Sequence, residues 1–218
     1  MIIYGIIAVL LLILVTFLIR AEIKENIGQI YVLKPLSSLL LILIAVIAYI
    51  MGIGDRTYIL LVLLGIVFCF GGDVALMFQP KSAFLAGLIS FLIGHVVYAG
   101  VFTYYNQSWV QNYLVAGVLI VLGALFYAYL YSGLTGMKVP VLVYLVVISF
   151  MLNSAVTAFY SEFFNVFQAA AVAIGAGLFY ISDIILAINR FKKPLRYNRF
   201  SLAFYYSGQF LIAASTVM

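Results

Sequence analysis

Two aspartates inside long apolar stretches are the residues of this sequence best suited to chemistry. Asp73 follows two glycines, and Asp183 follows Ser182 about a hundred residues later. The other acidic residues lie in or beside short polar connectors: Glu22, Glu25, Asp55 and Glu162. A carboxylate in a hydrocarbon-spanning segment costs roughly 2.5–3.5 kcal/mol on insertion scales. We therefore expect the two buried aspartates to be functional and to share one site.

A pair of carboxyl groups can divide acid–base work. One delivers a proton, while the other stabilises a cation or activates water, as in glycoside cleavage. A zinc hydrolase is disfavoured, because such sites need several ligands and the sequence offers one histidine, His95, and one cysteine, Cys69. A serine esterase is disfavoured because no Gly-x-Ser-x-Gly elbow is present. We expect neither a metal nor an organic cofactor.

The composition places these acids in a membrane. The 218 residues are 67% hydrophobic and 8% charged, with a mean hydropathy of +1.27, whereas soluble domains carry about 25% charged residues. The apolar runs are nearly continuous over about 20 residues, which favours helices over a barrel. The net charge of +5 does not indicate nucleic-acid binding, because the cations lie in connectors. We predict an all-α polytopic membrane helix bundle, one transmembrane domain over residues 1–218, surrounded by membrane lipids.

Eight transmembrane spans can be drawn: 2–19, 34–51, 57–78, 83–104, 112–131, 139–159, 164–188 and 198–217. The odd-numbered connectors carry nearly all of the basic residues: Arg20, Lys24, Lys34, Lys81, Lys138, Arg190, Lys192, Lys193, Arg196 and Arg199. The even-numbered connectors hold only Arg56. By the positive-inside rule, the odd connectors face the cytoplasm and both termini face outward. In a bacterium, the location would be the plasma membrane.

This arrangement predicts the depth of the two acids. Span 3 ends near Phe78, so Asp73 lies ~5 residues, or ~7 Å, from its cytoplasmic end. Span 7 runs in the same direction and puts Asp183 at a similar depth. Span 2 begins at Lys34-Pro35, with the proline in the first helical turn, where its missing N–H costs nothing. We expect Lys34 to reach toward both acids.

Further polar residues inside the spans are candidates for substrate contacts: His95, Asn153, Ser182, Tyr205, Tyr206 and Gln209. Gln209 shares a helix face with Tyr205 or Tyr206, because these residues are three to four positions apart. His95 either lines the site or makes a structural bond between helices. Ser182 either bonds the neighbouring acid or its own helix backbone. For the others, interhelical hydrogen bonds remain the alternative.

A set of small, aromatic and polar residues recurs in a characteristic order across the spans: Lys34-Pro35; Gly72-Asp73 with Leu76; Phe84, Gly87 and Phe91, leading to Gly94-His95 and Tyr98; Pro140, Tyr144 and Met151; Gly175-Ala176, Phe179, and Ser182-Asp183 with Leu186-Ala187; and Tyr205-Tyr206 with Gln209. In order and spacing, this set resembles the YhhN/TMEM86 family of small eight-span membrane proteins, which includes the lysoplasmalogenases.

The resemblance implies hydrolysis of the vinyl ether bond of a lysophospholipid substrate, a lysoplasmalogen, to a fatty aldehyde and glycerophosphocholine or glycerophosphoethanolamine. It also implies that Asp73 and Asp183 are catalytic, and we favour Asp183 as the acid and Asp73 as the base. Three alternatives stay open: a transporter with a buried acidic relay, a non-catalytic lipid-binding protein, and a hydrolase of ester lysophospholipids. Buried acids also serve proton relays, although the sequence shows no clear repeat of spans.

Overall fold

Eight α-helices follow one another in a computed structural model, which describes residues 2–78, 80–106, 113–196 and 198–218. They are α1 (Ile2–Ile23), α2 (Ile27–Ile50), α3 (Arg56–Ala75), α4 (Lys81–Asn106), α5 (Tyr113–Leu130), α6 (Lys138–Val156), α7 (Val166–Phe191) and α8 (Ser201–Ala214). No strand occurs within these described ranges. The predicted all-α class is confirmed. The predicted fifth span begins at residue 112, which lies outside the described residues.

Seven of these helices, α1 to α7, are long and apolar enough to cross a membrane. Near-continuous apolar sequence produces them, because a helix satisfies every backbone hydrogen bond within one segment where lipid offers no partner. Polar residues set several of the ends. Asn165, for example, caps α7 in a capping box with Gln168. The protein is therefore an integral, multi-pass membrane protein.

The start of α2 corrects one prediction. The helix begins at Ile27, because Asn26 caps it by accepting a hydrogen bond from the backbone N–H of Gln29. Pro35 therefore lies inside the helix and not in its first turn. Lys34 is not a connector residue either. It lies about two turns into α2, and its side chain is buried.

Helices α1 to α4 and α6 to α8 supply most of the buried side chains of the interior. The closest pairs are α3 with α4 and α7 with α8; α4 also packs on α6, and α2 on α3. Helix α5 lies at the edge of the bundle, mainly against α6. Aromatic side chains fill much of the centre: Tyr58, Tyr98, Tyr206, Phe102 and Phe179 are fully buried. The two aspartates lie on α3 and α7, one in each of the two close pairs.

Two glycines allow α7 and α8 to approach closely. A Cβ atom on Gly208 would lie 2.6 Å from the carbonyl oxygen of Gly175 and 3.0 Å from the backbone nitrogen of Phe179. Both neighbours are backbone atoms, which cannot rotate away as a side chain can. The contact thus requires small residues, as in other membrane helix pairs. It holds the Tyr205–Gln209 segment of α8 against α7.

We predict that Gly208→Ala destabilises the protein by about 1–3 kcal/mol, the usual cost of inserting a methyl group into a packed contact. The matched control is Gly177→Ala in the partner helix α7, where an added Cβ meets nothing within 4 Å. Thermal unfolding in detergent should show a lower Tm for the first variant and no loss for the second. Equal Tm values for the two variants would contradict the packing argument.

Candidate active site

A cavity of about 250 Å³ is bounded by residues of α1, α2, α3, α4 and α7 and by the start of α8. We call it the polar cavity. Its wall includes Glu22, Lys34, Asp73, Ser182, Asp183, Asn189, Arg190, Arg199 and Tyr205. The fold therefore brings the two aspartates to one cavity from two separate helix pairs.

Asp73 is surrounded by groups that donate hydrogen bonds or carry positive charge. Its Oδ2 atom accepts hydrogen bonds of 2.7 Å from the hydroxyls of Ser38 and Tyr205. Its Oδ1 atom lies 3.9 Å from Nζ of Lys34, and both of these side chains are more than 90% buried. An ionised carboxylate only accepts hydrogen bonds, so these contacts all favour the charged form of Asp73.

Asp183 has a different environment. Its Oδ2 atom accepts a 2.7 Å hydrogen bond from the hydroxyl of Tyr144 and lies 3.7 Å from Nε2 of His95. The Nδ1 atom of His95 is 2.7 Å from the carbonyl oxygen of Phe91. Since a carbonyl can only accept, Nδ1 must carry a hydrogen.

The Nε2 atom of His95 is buried and has no hydrogen-bond partner among the described residues. If both Nε2 and the carboxyl of Asp183 were unprotonated, two sets of lone pairs would face each other across 3.7 Å. One proton on either group removes this repulsion. The pair is therefore arranged to hold one proton next to the cavity.

Aromatic rings form the wall between the two acids. The ring centroid of Phe179 lies 4.5 Å from that of His95 and 5.1 Å from that of Tyr205. Phe91 packs edge-on against both Phe179 and Tyr205, at 6.3 and 5.8 Å. Edge-to-face contacts of this kind fix ring orientation. The residues that hydrogen-bond or face the acids are thus held in place by one another.

Not all of the predicted substrate contacts lie in this cavity. Lys34, Ser182 and Tyr205 line the cavity. His95 does not line it but faces Asp183 from within the bundle. Tyr206 does not line the cavity either, and its hydroxyl donates a 3.2 Å hydrogen bond to the backbone carbonyl of Lys34.

Gln209 and Asn153 are not brought to the acids. Gln209 accepts a 2.8 Å hydrogen bond from the hydroxyl of Tyr98 within the bundle interior. Asn153 lines a separate groove between α5 and α6. Its position along α6 was readable from the sequence, but the face that it occupies was not.

Two residues that contact the acids were missing from the predicted set. Ser38 lies one turn after Lys34, so the i, i+4 spacing on one helix face was the available signal. Tyr144 belongs to the recurring set of residues, but nothing in the sequence ties its hydroxyl to Asp183. Among the described residues, no three His, Cys, Asp or Glu side chains converge as a metal site would need.

A second, apolar cavity of about 60 Å³ adjoins the polar one. We call it the apolar cavity. Six residues line both: Leu76, Phe84, Phe91, Asp183, Leu186 and Arg190. The rest of its wall consists mainly of apolar side chains of α4, α6 and α7. Asp183 therefore lies at the boundary between a polar and an apolar compartment.

Comparison with known proteins identifies the family. Residues 29–216 match the model of the YhhN family. This chain belongs to the YhhN family. The matched region contains both aspartates and all of the residues that hydrogen-bond or pair with them. It does not include Glu22, the residue of the polar cavity wall that α1 supplies.

Two curated relatives carry the name lysoplasmalogenase TMEM86A. The protein from Bos taurus is 33% identical over 165 residues, and that from Homo sapiens is 31% identical over 160 residues. Each alignment covers 72% of this chain and 65% of the relative. The YhhN chain described here thus spans about 65% of the length of these relatives. No solved structure matches it.

Proposed function

We propose that this protein is a membrane-embedded hydrolase that cleaves the vinyl ether bond of lysoplasmalogens. One observation carries the proposal: two acids with contrasting partners line one cavity, and one of them lies where the wall changes from polar to apolar. A vinyl ether lies at just such a boundary in its lipid, between the hydrocarbon chain and the glycerol headgroup. The names of the two TMEM86A relatives support the same activity.

The reaction needs one proton donor and one group that handles a cation and water. Protonation of the vinyl carbon beta to oxygen leaves an oxocarbenium ion. Water adds at the alpha carbon, and the resulting hemiacetal collapses to the aldehyde and the free glycerol hydroxyl. The acid is regenerated when the proton lost by water returns to the protein. This division of labour parallels that of the two carboxyl groups in glycosidases.

Asp183 is the proposed acid. It reaches the apolar cavity, where the vinyl carbon has to lie, and its pairing with His95 keeps one proton available beside that position. The hydrogen bond from Tyr144 fixes the carboxyl group without removing that proton. His95 is a positioning residue in this scheme, since it acts through Asp183 and does not line either cavity.

Asp73 is the proposed carboxylate that stabilises the cation and orients the attacking water. Lys34, Ser38 and Tyr205 surround it with positive charge and donors, which supports an ionised state. Such a group is a poor proton donor but a suitable base. The contrast between the two environments supports the assignment of one role to each acid.

The substrate has a defined orientation in this scheme. The first carbons of the alkenyl chain occupy the apolar cavity, and the remainder extends into the groove between α5 and α6, whose wall shares Leu145 with that cavity. The phosphate lies in the polar cavity near Arg190. The guanidinium of Arg190 is held 4.5 Å from the ring of Phe84 and has no acidic partner within 4 Å among the described residues. Guanidinium groups suit phosphate oxygens in charge and geometry.

We also propose that α8 is an eighth span within a single transmembrane domain over residues 1–218. With the 3₁₀ segments on either side it is helical over 198–217, about 33 Å of rise, which suffices for a hydrocarbon core of about 30 Å. An even count puts both termini outside and the basic odd connectors in the cytoplasm. The polar cavity then opens toward the cytoplasm, in the plasma membrane if the cell is bacterial.

The deciding experiment compares two lipids with the purified protein. Lysoplasmalogen is expected to yield fatty aldehyde, whereas the analogue with a saturated ether is expected to yield none, because only the vinyl ether can accept a proton on carbon. Aldehyde is measured by mass spectrometry after trapping with a hydrazine. No aldehyde from lysoplasmalogen, or cleavage of both lipids at similar rates, would overturn the proposed reaction.

A further inference from the structure

A third acid lines the polar cavity. Glu22, from the last turn of α1, places its Oε2 atom 2.9 Å from Nη1 of Arg199, and its side chain is only 12% exposed. The ion pair is made through Oε2, and no hydrogen bond to the Oε1 atom is found among the described residues. Because Glu22 lines the polar cavity and a carboxylate oxygen accepts more than one hydrogen bond, it can accept a further donor from a ligand there.

The other charges of the polar cavity are already engaged, with one exception. Asp73 pairs with Lys34, and Asp183 is bonded by Tyr144. The exception is Arg190, which rests on the ring of an aromatic residue and not against an acid. The polar cavity thus contains one carboxylate oxygen and one guanidinium that are open to a ligand. A ligand carrying one negative and one positive group would match both.

We infer that Glu22 is a specificity-determining residue that binds the ammonium group of a zwitterionic lysolipid headgroup, while Arg190 binds its phosphate. The inference rests on the proposed function, which supplies the orientation of the lipid. A primary ammonium has three N–H donors, so it can give Oε1 a charge-assisted hydrogen bond. A quaternary ammonium offers charge alone. The site therefore favours ethanolamine over choline, and both over a headgroup that ends at the phosphate.

The competing role for Glu22 is a structural clamp. Its ion pair with Arg199 joins α1 to the 3₁₀ segment before α8. A clamp affects the stability of the protein and the affinity for every headgroup alike. A ligand contact affects the affinity only for headgroups that carry an amine. The ratio of two affinities therefore separates the two roles.

The test uses two saturated ether lysolipids with the same chain, one ending in phosphoethanolamine and the other in phosphate. Calorimetry in detergent measures their binding to the full-length protein and its variants. Glu22→Gln is expected to weaken the binding of the phosphoethanolamine lipid about tenfold, which is the size of one charge-assisted hydrogen bond. The affinity for the phosphate lipid is expected to change by no more than about twofold. The matched control is Glu25→Gln, an acid outside the cavity wall, which is expected to change neither affinity.

Arg199→Gln breaks the same ion pair but keeps the carboxylate, so it is expected to preserve the preference for phosphoethanolamine. If Arg199→Gln also abolishes the preference for phosphoethanolamine, Glu22 is a clamp and the inference is wrong. The same conclusion follows if Glu22→Gln lowers the affinity for both lipids equally. Should Glu22→Gln be too unstable to purify, Glu22→Asp withdraws the carboxylate by one methylene. This variant is expected to lower the affinity for the phosphoethanolamine lipid selectively. An unchanged ratio of the affinities for the two lipids overturns the inference.

These lipids contain no vinyl ether, so the result does not depend on hydrolysis. A protein that binds phosphoethanolamine selectively through Glu22 but releases no aldehyde from lysoplasmalogen keeps this inference and refutes the proposed reaction. A protein that releases aldehyde but shows no Glu22-dependent headgroup preference supports the proposed reaction and refutes this inference. Failure of the unmodified protein to bind either lipid overturns the inference.

Discussion

Asp183→Asn is expected to lower the rate of aldehyde release from lysoplasmalogen by about a hundred- to ten-thousandfold, the usual contribution of a general acid. The amide has nearly the same size as the carboxyl group. Tyr144 and Nε2 of His95 both face Oδ2, so an amide nitrogen in that position can donate one hydrogen to the tyrosine hydroxyl oxygen and the other to Nε2. The fold should therefore survive. The amide has no proton of suitable acidity to give to carbon.

The loss should appear in kcat and not in KM, because the substitution removes an interaction made only in the transition state. Turnover and Tm are measured together on the purified variant. The matched control is Asp55→Asn at the N-cap of α3, a position where Asn caps as well as Asp. The amide oxygen can still accept both hydrogen bonds that Oδ1 receives, from the backbone N–H of Tyr58 and the hydroxyl of Tyr105. Near-normal kcat for Asp183→Asn, in a protein with normal Tm, would refute its role as the acid.

The sequence predicted those parts of the site that depend on hydropathy and position along a helix. Seven helices follow from their apolar runs. The sequence placed Asp73 and Asp183 at one level of the bundle, and both do line one cavity. The start of α2 was wrong by seven residues, since Pro35 was taken as a first-turn signal. The cap at Asn26 and the apolar residues that follow it decided the helix start instead.

The parts that could not be predicted depend on which face of a helix meets which neighbour. Ser38 and Tyr144 are ordinary hydroxyl residues in the sequence, and only the packed bundle turns them toward an acid. Asn153 is the opposite case, because it faces the groove beside α5. In spans that are apolar nearly all round, the pattern of residues does not reveal the inward face.

Asp73→Asn is expected to destabilise the protein by about 3–5 kcal/mol as well as to abolish aldehyde release. It removes the negative charge that compensates the buried ammonium of Lys34, and a buried charge left without its partner is strongly destabilising. The hydroxyls of Ser38 and Tyr205 can still donate to the remaining amide oxygen. The lost charge, and not the lost hydrogen bonds, should therefore dominate the change in stability.

The double variant Lys34→Met, Asp73→Asn separates the two effects. Removing both charges leaves no unpaired ion, and methionine fills a similar volume, so the double variant should recover most of the stability lost in Asp73→Asn. Aldehyde release should stay abolished, because no carboxylate remains to stabilise the cation or take a proton from water. Thermal unfolding of the four proteins gives the coupling energy of the pair. A Tm for Asp73→Asn equal to that of the unmodified protein would show that Asp73 is not needed to compensate the charge of Lys34. Recovered turnover in the double variant would exclude Asp73 from the chemistry.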